Sequence, residues 1–129
     1  MCGLLSLLSY NLHMNKPFDL EERTFLFAKE CREYIKNLPK TISNIEDGKQ
    51  LIRSSGSVGA NYIEANEKLG DKDLVFRLKI SRKEAKESKY WLRLLNDLNP
   101  DQKTFSEKLL FESEELRKIL SAIITKTSK

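Results

Sequence analysis

The stretch from Asp71 to Leu95 constrains the fold most, because it is long and contains neither glycine nor proline. Its small and apolar residues recur in alternating steps of four and three, the spacing of one helix face. That seam consists of Leu74, Leu78, Ser81, Ala85, Ser88, Leu92 and Leu95. A second, mixed face carries Phe76, Ile80, Glu84, Glu87, Trp91 and Leu94. A helix with two such faces packs against neighbours on two sides, which favours a helical bundle.

Two helices are predicted before this stretch. The first opens at Asp19 as its N-cap and ends before Pro39. One face is predicted to carry Phe25, Ala28, Cys31 or Arg32, Ile35 and Leu38, with Phe27 and Tyr34 broadening it. The second begins near Ser43, whose spacing from Glu46 fits a capping box. It continues to about Leu69, where Gly70 provides a stop signal.

A fourth helix follows the turn signal Asn99-Pro100-Asp101 and carries Leu109, Leu116 and Leu120 in register. Short connections between four helices predict an all-α fold, an up-down-up-down antiparallel four-helix bundle. We assign this bundle to residues 17–126 and treat residues 1–16 as an N-terminal extension. That extension lacks the charge and cleavage pattern of a signal peptide and is too short to span a membrane.

The second helix contains two glycines, Gly56 and Gly59, within the stretch from Leu51 to Asn66. Each glycine in a helix costs about 1 kcal/mol relative to alanine. Ser55 and Gly59 lie one helical turn apart, as do Gly56 and Ala60, and small residues at this spacing let another helix approach closely. Both glycines are therefore predicted to be helical and tightly packed, and not to form an exposed turn.

A basic line runs along the third helix and forms the candidate nucleic-acid-binding surface. Its members are Lys79, Arg82, Lys86, Lys89 and Arg93. From Asp71 to Leu95 there are eight Lys or Arg against four Asp or Glu, and within that range no acidic residue follows a member of the line four positions later. Unpaired cations in a row suit the phosphates of a nucleic-acid backbone. A merely solvated helix face is the alternative that the pattern leaves open.

Three carboxylates, Glu64, Glu84 and Glu87, lie on or beside apolar faces. Pairing with Arg53 or Arg77 is favoured over a metal site, because burial of an unpaired carboxylate is costly. His13 is the only histidine, which excludes metal sites that need two histidines from one chain. We therefore predict no cofactor, no metal and no enzymatic activity.

The two cysteines, Cys2 and Cys31, form no disulfide framework, so the cytoplasm is the expected compartment. Cys31 falls within the first helical pattern and is predicted to be a small buried residue. A formal net charge of +4 permits an anionic partner without requiring one.

Two blocks carry a family resemblance: QLIRSSGSVGANYIEA at Gln50–Ala65 and FRLKISRKEAKESKYWL at Phe76–Leu92. Together with Phe18–Leu38, they resemble the four-helix-bundle proteins encoded by intervening sequences of bacterial 23S rRNA genes. The resemblance covers about Pro17 to Ile124. It implies a small bacterial cytoplasmic bundle that forms a homopentamer and has no known catalytic activity. A related branch, the accessory proteins of diversity-generating retroelements, binds a reverse transcriptase and nucleic acid through basic surfaces.

The resemblance also implies roles for individual residues. Those that match the family pattern are implied to be structural or interface positions: Asn61, Glu64, Glu84, Glu87, Tyr90 and Trp91. At Gly59, many relatives carry a larger residue or proline.

Two functions follow as hypotheses. The first is a homo-oligomeric, non-enzymatic scaffold that associates with RNA or a ribonucleoprotein through the basic line, without sequence-specific recognition. The second is a protein–protein interaction module that makes no nucleic-acid contact.

Overall fold

Four α-helices and one short 3₁₀ turn account for most of the residues that the computed structural model describes, which are 17–67 and 70–128. The helices are α1 (Pro17–Lys36), α2 (Ile42–Asn66), α3 (Asp71–Leu98) and α4 (Lys103–Thr127), and the 3₁₀ turn is Pro100–Gln102. No strand occurs in these ranges. The predicted N-terminal extension, residues 1–16, lies outside the described residues.

The helix starts differ from the predicted caps. Helix α1 begins at Pro17, so Asp19 lies inside its first turn and is not the N-cap. Proline is well placed there, because the first N–H of a helix has no intrahelical partner. Helix α2 is capped by Thr41, whose hydroxyl oxygen accepts a hydrogen bond from the Asn44 N–H at 3.1 Å. The predicted cap Ser43 is wrong because the extended backbone that a cap requires occurs at Thr41.

The connection between α2 and α3 contains the one backbone conformation in the described chain that requires glycine. Gly70 has a φ of 154° and accepts a hydrogen bond from the Leu74 N–H at 3.0 Å. It therefore initiates α3, whereas the pattern assigned it to the end of α2. The predicted continuation of α2 to Leu69 falls on residues outside the described ranges. Helix α3 continues past Leu95 to Leu98.

The helices form a ring in chain order, in which α1 contacts α2 and α4, and α3 also contacts α2 and α4. Side-chain contacts between neighbours connect the start of one helix with the end of the next. They include Asn44 with Asn99, Arg77 with Asn61, Ser106 with Asn96, Arg82 with Ser121, Asn66 with Glu21, and Tyr34 with Phe105. Each adjacent pair is thus antiparallel, which confirms the predicted up-down-up-down bundle.

The buried face of α3 is the predicted seam. It consists of Leu78, Ser81, Ala85, Ser88, Leu92 and Leu95, and the half-buried Leu74 packs at its end. The predicted face of α1 is wrong at Phe25, which is 60% exposed, whereas Cys31, Leu38, Phe27 and Tyr34 are buried as predicted. The full buried set here is Leu20, Thr24, Phe27, Cys31, Tyr34 and Leu38. The sequence offers two overlapping apolar stripes here, and α2 and α4 cover the one that contains Phe27 and Tyr34.

Small polar residues fill part of the core between α2 and α3. The Ser81 hydroxyl donates to the Val58 carbonyl at 2.6 Å, and the Ser88 hydroxyl donates to Ser54 Oγ at 2.9 Å. At one end of the bundle, the Asn44 and Asn99 side-chain amides donate to each other at 2.8 and 2.9 Å. These bonds satisfy polar groups that are buried, and the small side chains let the two helices pack closely.

Candidate nucleic-acid interface

The solvent-facing side of α3 is a single line of exposed residues opposite the buried seam. We call it the outer stripe, and it consists of Lys72, Phe76, Lys79, Lys83, Lys86, Tyr90 and Arg93. Its steps of three and four residues keep all seven on one side of the helix. Asp97 is the next exposed residue along the same line. Five of the seven members are cations, and two are aromatic.

The structure divides the predicted basic line between two surfaces. Lys79, Lys86 and Arg93 are exposed and belong to the outer stripe. They make no ion pair with the described residues. Arg82 and Lys89 are half-buried and lie on the flank next to α4.

Both flank cations contact α4. Arg82 donates to Ser121 Oγ at 3.4 Å, and Lys89 forms an ion pair with Glu114 at 3.4 Å. The prediction that the whole line is unpaired is therefore wrong at Lys89. Its partner comes from a different helix, and periodicity within α3 cannot reveal it.

Glu114 is the centre of a charge cluster on that flank. Arg117 donates to it from Nη2 at 2.6 Å and from Nε at 3.1 Å, in a two-pronged arrangement. These hydrogen bonds, with the weaker one from Lys89, lower the pKa of the Glu114 carboxyl to about 2. The charge of Lys89 is thus shared with α4 and contributes less to the surface field than the outer-stripe cations do.

The carboxylates of α3 are paired on the opposite flank, next to α2. Arg53 contacts Glu84 at 3.6 Å and also forms an ion pair with Glu87. Pairing with an arginine is thereby confirmed for both carboxylates. Glu64, in contrast, is exposed, and no described residue pairs with it. Glu84 and Glu87 are consequently neutralised by a cation that lies outside the outer stripe.

Asn61 links α2 to the start of α3. Its side-chain amide donates to the Ser57 carbonyl at 2.9 Å, and its Oδ1 accepts from Arg77 at 3.4 Å. Arg77 is also 3.8 Å from Asp73 and lies 5.9 Å from the centre of the Phe76 ring. Asn61 therefore helps to hold the Arg77 guanidinium beside the exposed ring of Phe76.

The two aromatic residues at Tyr90 and Trp91 form one unit. Tyr90 is 53% exposed, and its ring packs edge-on against Trp91 with a centroid distance of 5.0 Å and an interplanar angle of 76°. Trp91 is half-buried and packs against the hydrophobic core. The exposed ring of Tyr90 is in this way supported by a side chain anchored in the bundle.

Sequence reasoning missed four members of the outer stripe as contact residues: Lys72, Phe76, Lys83 and Tyr90, the last of which was implied to be a structural or interface position. Phe76 was assigned to the second apolar face, but it is 58% exposed. The other members of that face, from Ile80 to Leu94, are half-buried. The signal was present in the sequence, because positions about half a turn away from the correctly predicted seam trace this line on a helical wheel.

The two glycines of α2 are helical, as predicted. A Cβ added to Gly59 would lie 2.7 Å from Thr24 Oγ1, whereas one added to Gly56 would lie 3.3 Å from the end of the Arg32 side chain. Gly59 is buried against α1, while Gly56 is only half-buried. Close approach of α1 to α2 therefore depends on Gly59 more than on Gly56.

A groove of about 440 Å³ lies between α1 and α2, far from the outer stripe in the ring of helices. Phe25, Ala28, Gly56, Ala60 and Ile63 provide its apolar lining. Phe25 and Ile63 are 60% and 46% exposed, so this groove presents apolar surface to solvent. Surfaces of this kind are typical of protein–protein contacts.

The described ranges contain neither a metal-binding cluster nor a membrane-spanning helix. The described side chains include no group of three or more His, Cys, Asp or Glu residues that could hold a metal ion. None of the described helices has both the length and the apolar character needed to cross a membrane. Cys31 is a free thiol, and its burial raises its pKa well above the usual range.

Comparison with known proteins gives one family and a similar fold. The sequence matches the 23S rRNA-intervening sequence protein family over residues 17–122. A solved structure of a protein of unknown function, from the S23 ribosomal protein family of Bacteroides thetaiotaomicron, is 30% identical. That match covers 85% of this chain and 98% of the other, with a TM-score of 0.74. The comparison with curated proteins gives no match.

Proposed function

Because the chain belongs to the 23S rRNA-intervening sequence protein family, we propose that it is a non-enzymatic, homo-oligomeric scaffold that associates with RNA or a ribonucleoprotein in the cytoplasm. The outer stripe of α3 is the contact surface. The observation that carries this proposal is the series of exposed cations on that stripe, three of them at Lys79, Lys83 and Lys86. Neutralisation of phosphates by such cations releases counterions and favours binding.

The distribution of ion pairs supports this assignment. The α3 carboxylates Glu84 and Glu87 are held by Arg53, and the α4 carboxylate Glu114 is held by Arg117 and Lys89. No acidic residue lies on the outer stripe itself. These three carboxylates therefore do not cancel the positive field of the stripe, and an uncancelled positive field is the electrostatic condition for attracting a polyanion.

The decisive experiment compares RNA binding by the wild-type protein and by a charge-reversed variant, K79E/K83E/K86E. Binding of a structured RNA is measured by filter retention at about 50 and about 200 mM salt. We expect the wild type to bind at low salt and to weaken steeply at high salt, and the variant to lose binding at both.

A matched control variant distinguishes the effect of charge on the outer stripe from the effect of the net charge of the protein. The variant K36E/K40E/K126E changes the same number of exposed lysines at the end of α1, the α1–α2 loop and α4. Both triple variants lower the formal net charge from +4 to −2. Equal loss of affinity in the two variants would show that net charge alone governs binding. Negligible wild-type binding at low salt would overturn the proposal.

The α1–α2 groove supports the oligomeric part of the proposal, for which we propose a pentamer on the basis of the family resemblance. A second copy that covers Phe25 and Ile63 would remove exposed apolar surface from water, which favours association. Light scattering coupled to gel filtration tests this. I63E should reduce the oligomer to smaller species, whereas I42E, at a position that is 84% exposed outside the groove, should not. A monomeric wild type would contradict it.

The same groove favours the second candidate function, a protein-interaction module without nucleic-acid contact. In that case, the biological role survives K79E/K83E/K86E but is lost with I63E. Loss of the biological role with K79E/K83E/K86E supports the RNA-binding scaffold instead.

A further inference from the structure

We propose that the outer stripe binds single-stranded RNA, with the rings of Phe76 and Tyr90 stacking on unpaired bases. This inference rests on the proposed function and specifies its ligand. Surfaces that bind single strands combine a basic track for the backbone with aromatic side chains for the bases. The outer stripe has both components on one helix face.

The order of residues along the stripe fits this ligand. Phe76 and Tyr90 flank the three lysines Lys79, Lys83 and Lys86. At a helical rise of 1.5 Å per residue, the two aromatic positions lie about 21 Å apart. This distance corresponds to about six nucleotides of a stacked strand with a spacing of about 3.4 Å. A strand laid along the stripe can therefore place a base near each ring and its intervening phosphates near the lysines.

Both rings are accessible and supported from below. Phe76 is 58% exposed and Tyr90 is 53% exposed, so each can offer a face to a base. Trp91 supports Tyr90 through the edge-on contact described above. Arg77 stays near the Phe76 ring through its contacts with Asp73 and Asn61. Exposed rings that are already ordered lose less conformational entropy when a base stacks on them.

A duplex makes poorer use of this surface. Bases in a helix are stacked on one another, so exposed rings have no base face to contact. The major groove of an RNA duplex is also too deep and narrow for side chains to read. Duplex RNA would use only the cations of the stripe, and the aromatic residues would contribute nothing.

The test measures fluorescence anisotropy with a labelled, unstructured RNA of about 15 nucleotides and with the corresponding duplex, at low salt. Wild type should prefer the single strand. F76A/Y90A should lose roughly tenfold or more in single-strand affinity for each ring, and its duplex affinity should stay unchanged. Y90F retains the ring and should bind single strands like the wild type.

The control is F111A, which removes a ring that is 67% exposed on α4 and should leave both affinities unchanged. Circular dichroism verifies that each variant is folded. Equal wild-type affinity for the two RNA forms, or an unchanged single-strand affinity in F76A/Y90A, overturns this inference and leaves the proposed function standing. Absence of binding to either form overturns both.

Discussion

The same substitution at the two glycines of α2 should change stability in opposite directions. Alanine at either position gains about 1 kcal/mol in helix propensity over glycine. At Gly56, the nearest obstacle is the end of the flexible Arg32 side chain, 3.3 Å from the added Cβ. That side chain is exposed and can move, so G56A should stabilise the protein by about 0.5–1 kcal/mol.

At Gly59 the added Cβ meets a rigid obstacle. It would lie 2.7 Å from Thr24 Oγ1 and 3.1 Å from Thr24 Cβ. Thr24 is buried, β-branched and hydrogen-bonded through its hydroxyl to the Glu21 carbonyl at 2.9 Å. Overpacking of this kind costs about 1–3 kcal/mol, which exceeds or offsets the propensity gain. G59A should therefore destabilise the protein by about 1 kcal/mol.

Thermal unfolding followed by circular dichroism measures both effects, at one fixed protein concentration because self-association raises apparent stability. A change of 1 kcal/mol shifts Tm by about 3–5 °C in a domain of this size. We expect G56A to raise Tm and G59A to lower it.

A double-mutant cycle identifies the cause. Removal of the Thr24 hydroxyl and methyl in T24A relieves most of the clash, so G59A should be less harmful in that background, with a coupling of about 1 kcal/mol. If G59A stabilises the protein as much as G56A does, the close approach of α1 to α2 at this position is wrong.

Two further predictions concern polar groups. N44L leaves the buried Asn99 side-chain oxygen without its donor, although the Asn99 amide nitrogen still donates to the Leu95 carbonyl. The substitution should cost about 1–3 kcal/mol in urea unfolding, and N44L/N99L should recover part of that loss. A fully additive double variant would contradict the pairing. Because the folded-state pKa of Glu114 is about 2 and its ordinary value is 4.5, its stabilising contribution is complete above pH 4.5 and disappears as the pH falls towards 2. As the pH is lowered from 4.5 towards 2, the Tm difference between the wild type and E114Q should therefore shrink towards zero. A Tm difference that is independent of pH would contradict this prediction.

The bundle could be predicted from the sequence because its longest helix, α3, has an unambiguous pattern of small and apolar residues. The seam from Leu74 to Leu95 alternates steps of four and three without interruption, and the structure buries it. Helix α1 was harder to interpret. Phe25 looks like a core residue by hydrophobicity, but the buried face instead includes Thr24, which hydrophobicity alone does not select. The choice between overlapping stripes is made by the neighbouring helices.

The candidate site could be predicted only in part, for a related reason. Periodicity assigns residues to faces of one helix, so Lys79, Lys86 and Arg93 were found. It does not show what another helix contributes, so the ion pair of Lys89 with Glu114 was missed. The Asn44–Asn99 pair was missed as well, because it joins residues at opposite ends of two helices.

The central claim, that the outer stripe binds RNA through its cations, is tested most directly by the salt dependence of single-stranded RNA affinity. Each neutralised phosphate contributes about −0.7 to the slope of log affinity against log salt concentration. Engagement of the five cations of the stripe predicts a slope of about −3.5 for the wild type. It also predicts a slope shallower by about 2 for the variant in which alanine replaces Lys79, Lys83 and Lys86. A wild-type slope near zero, or one that these substitutions leave unchanged, would contradict the claim.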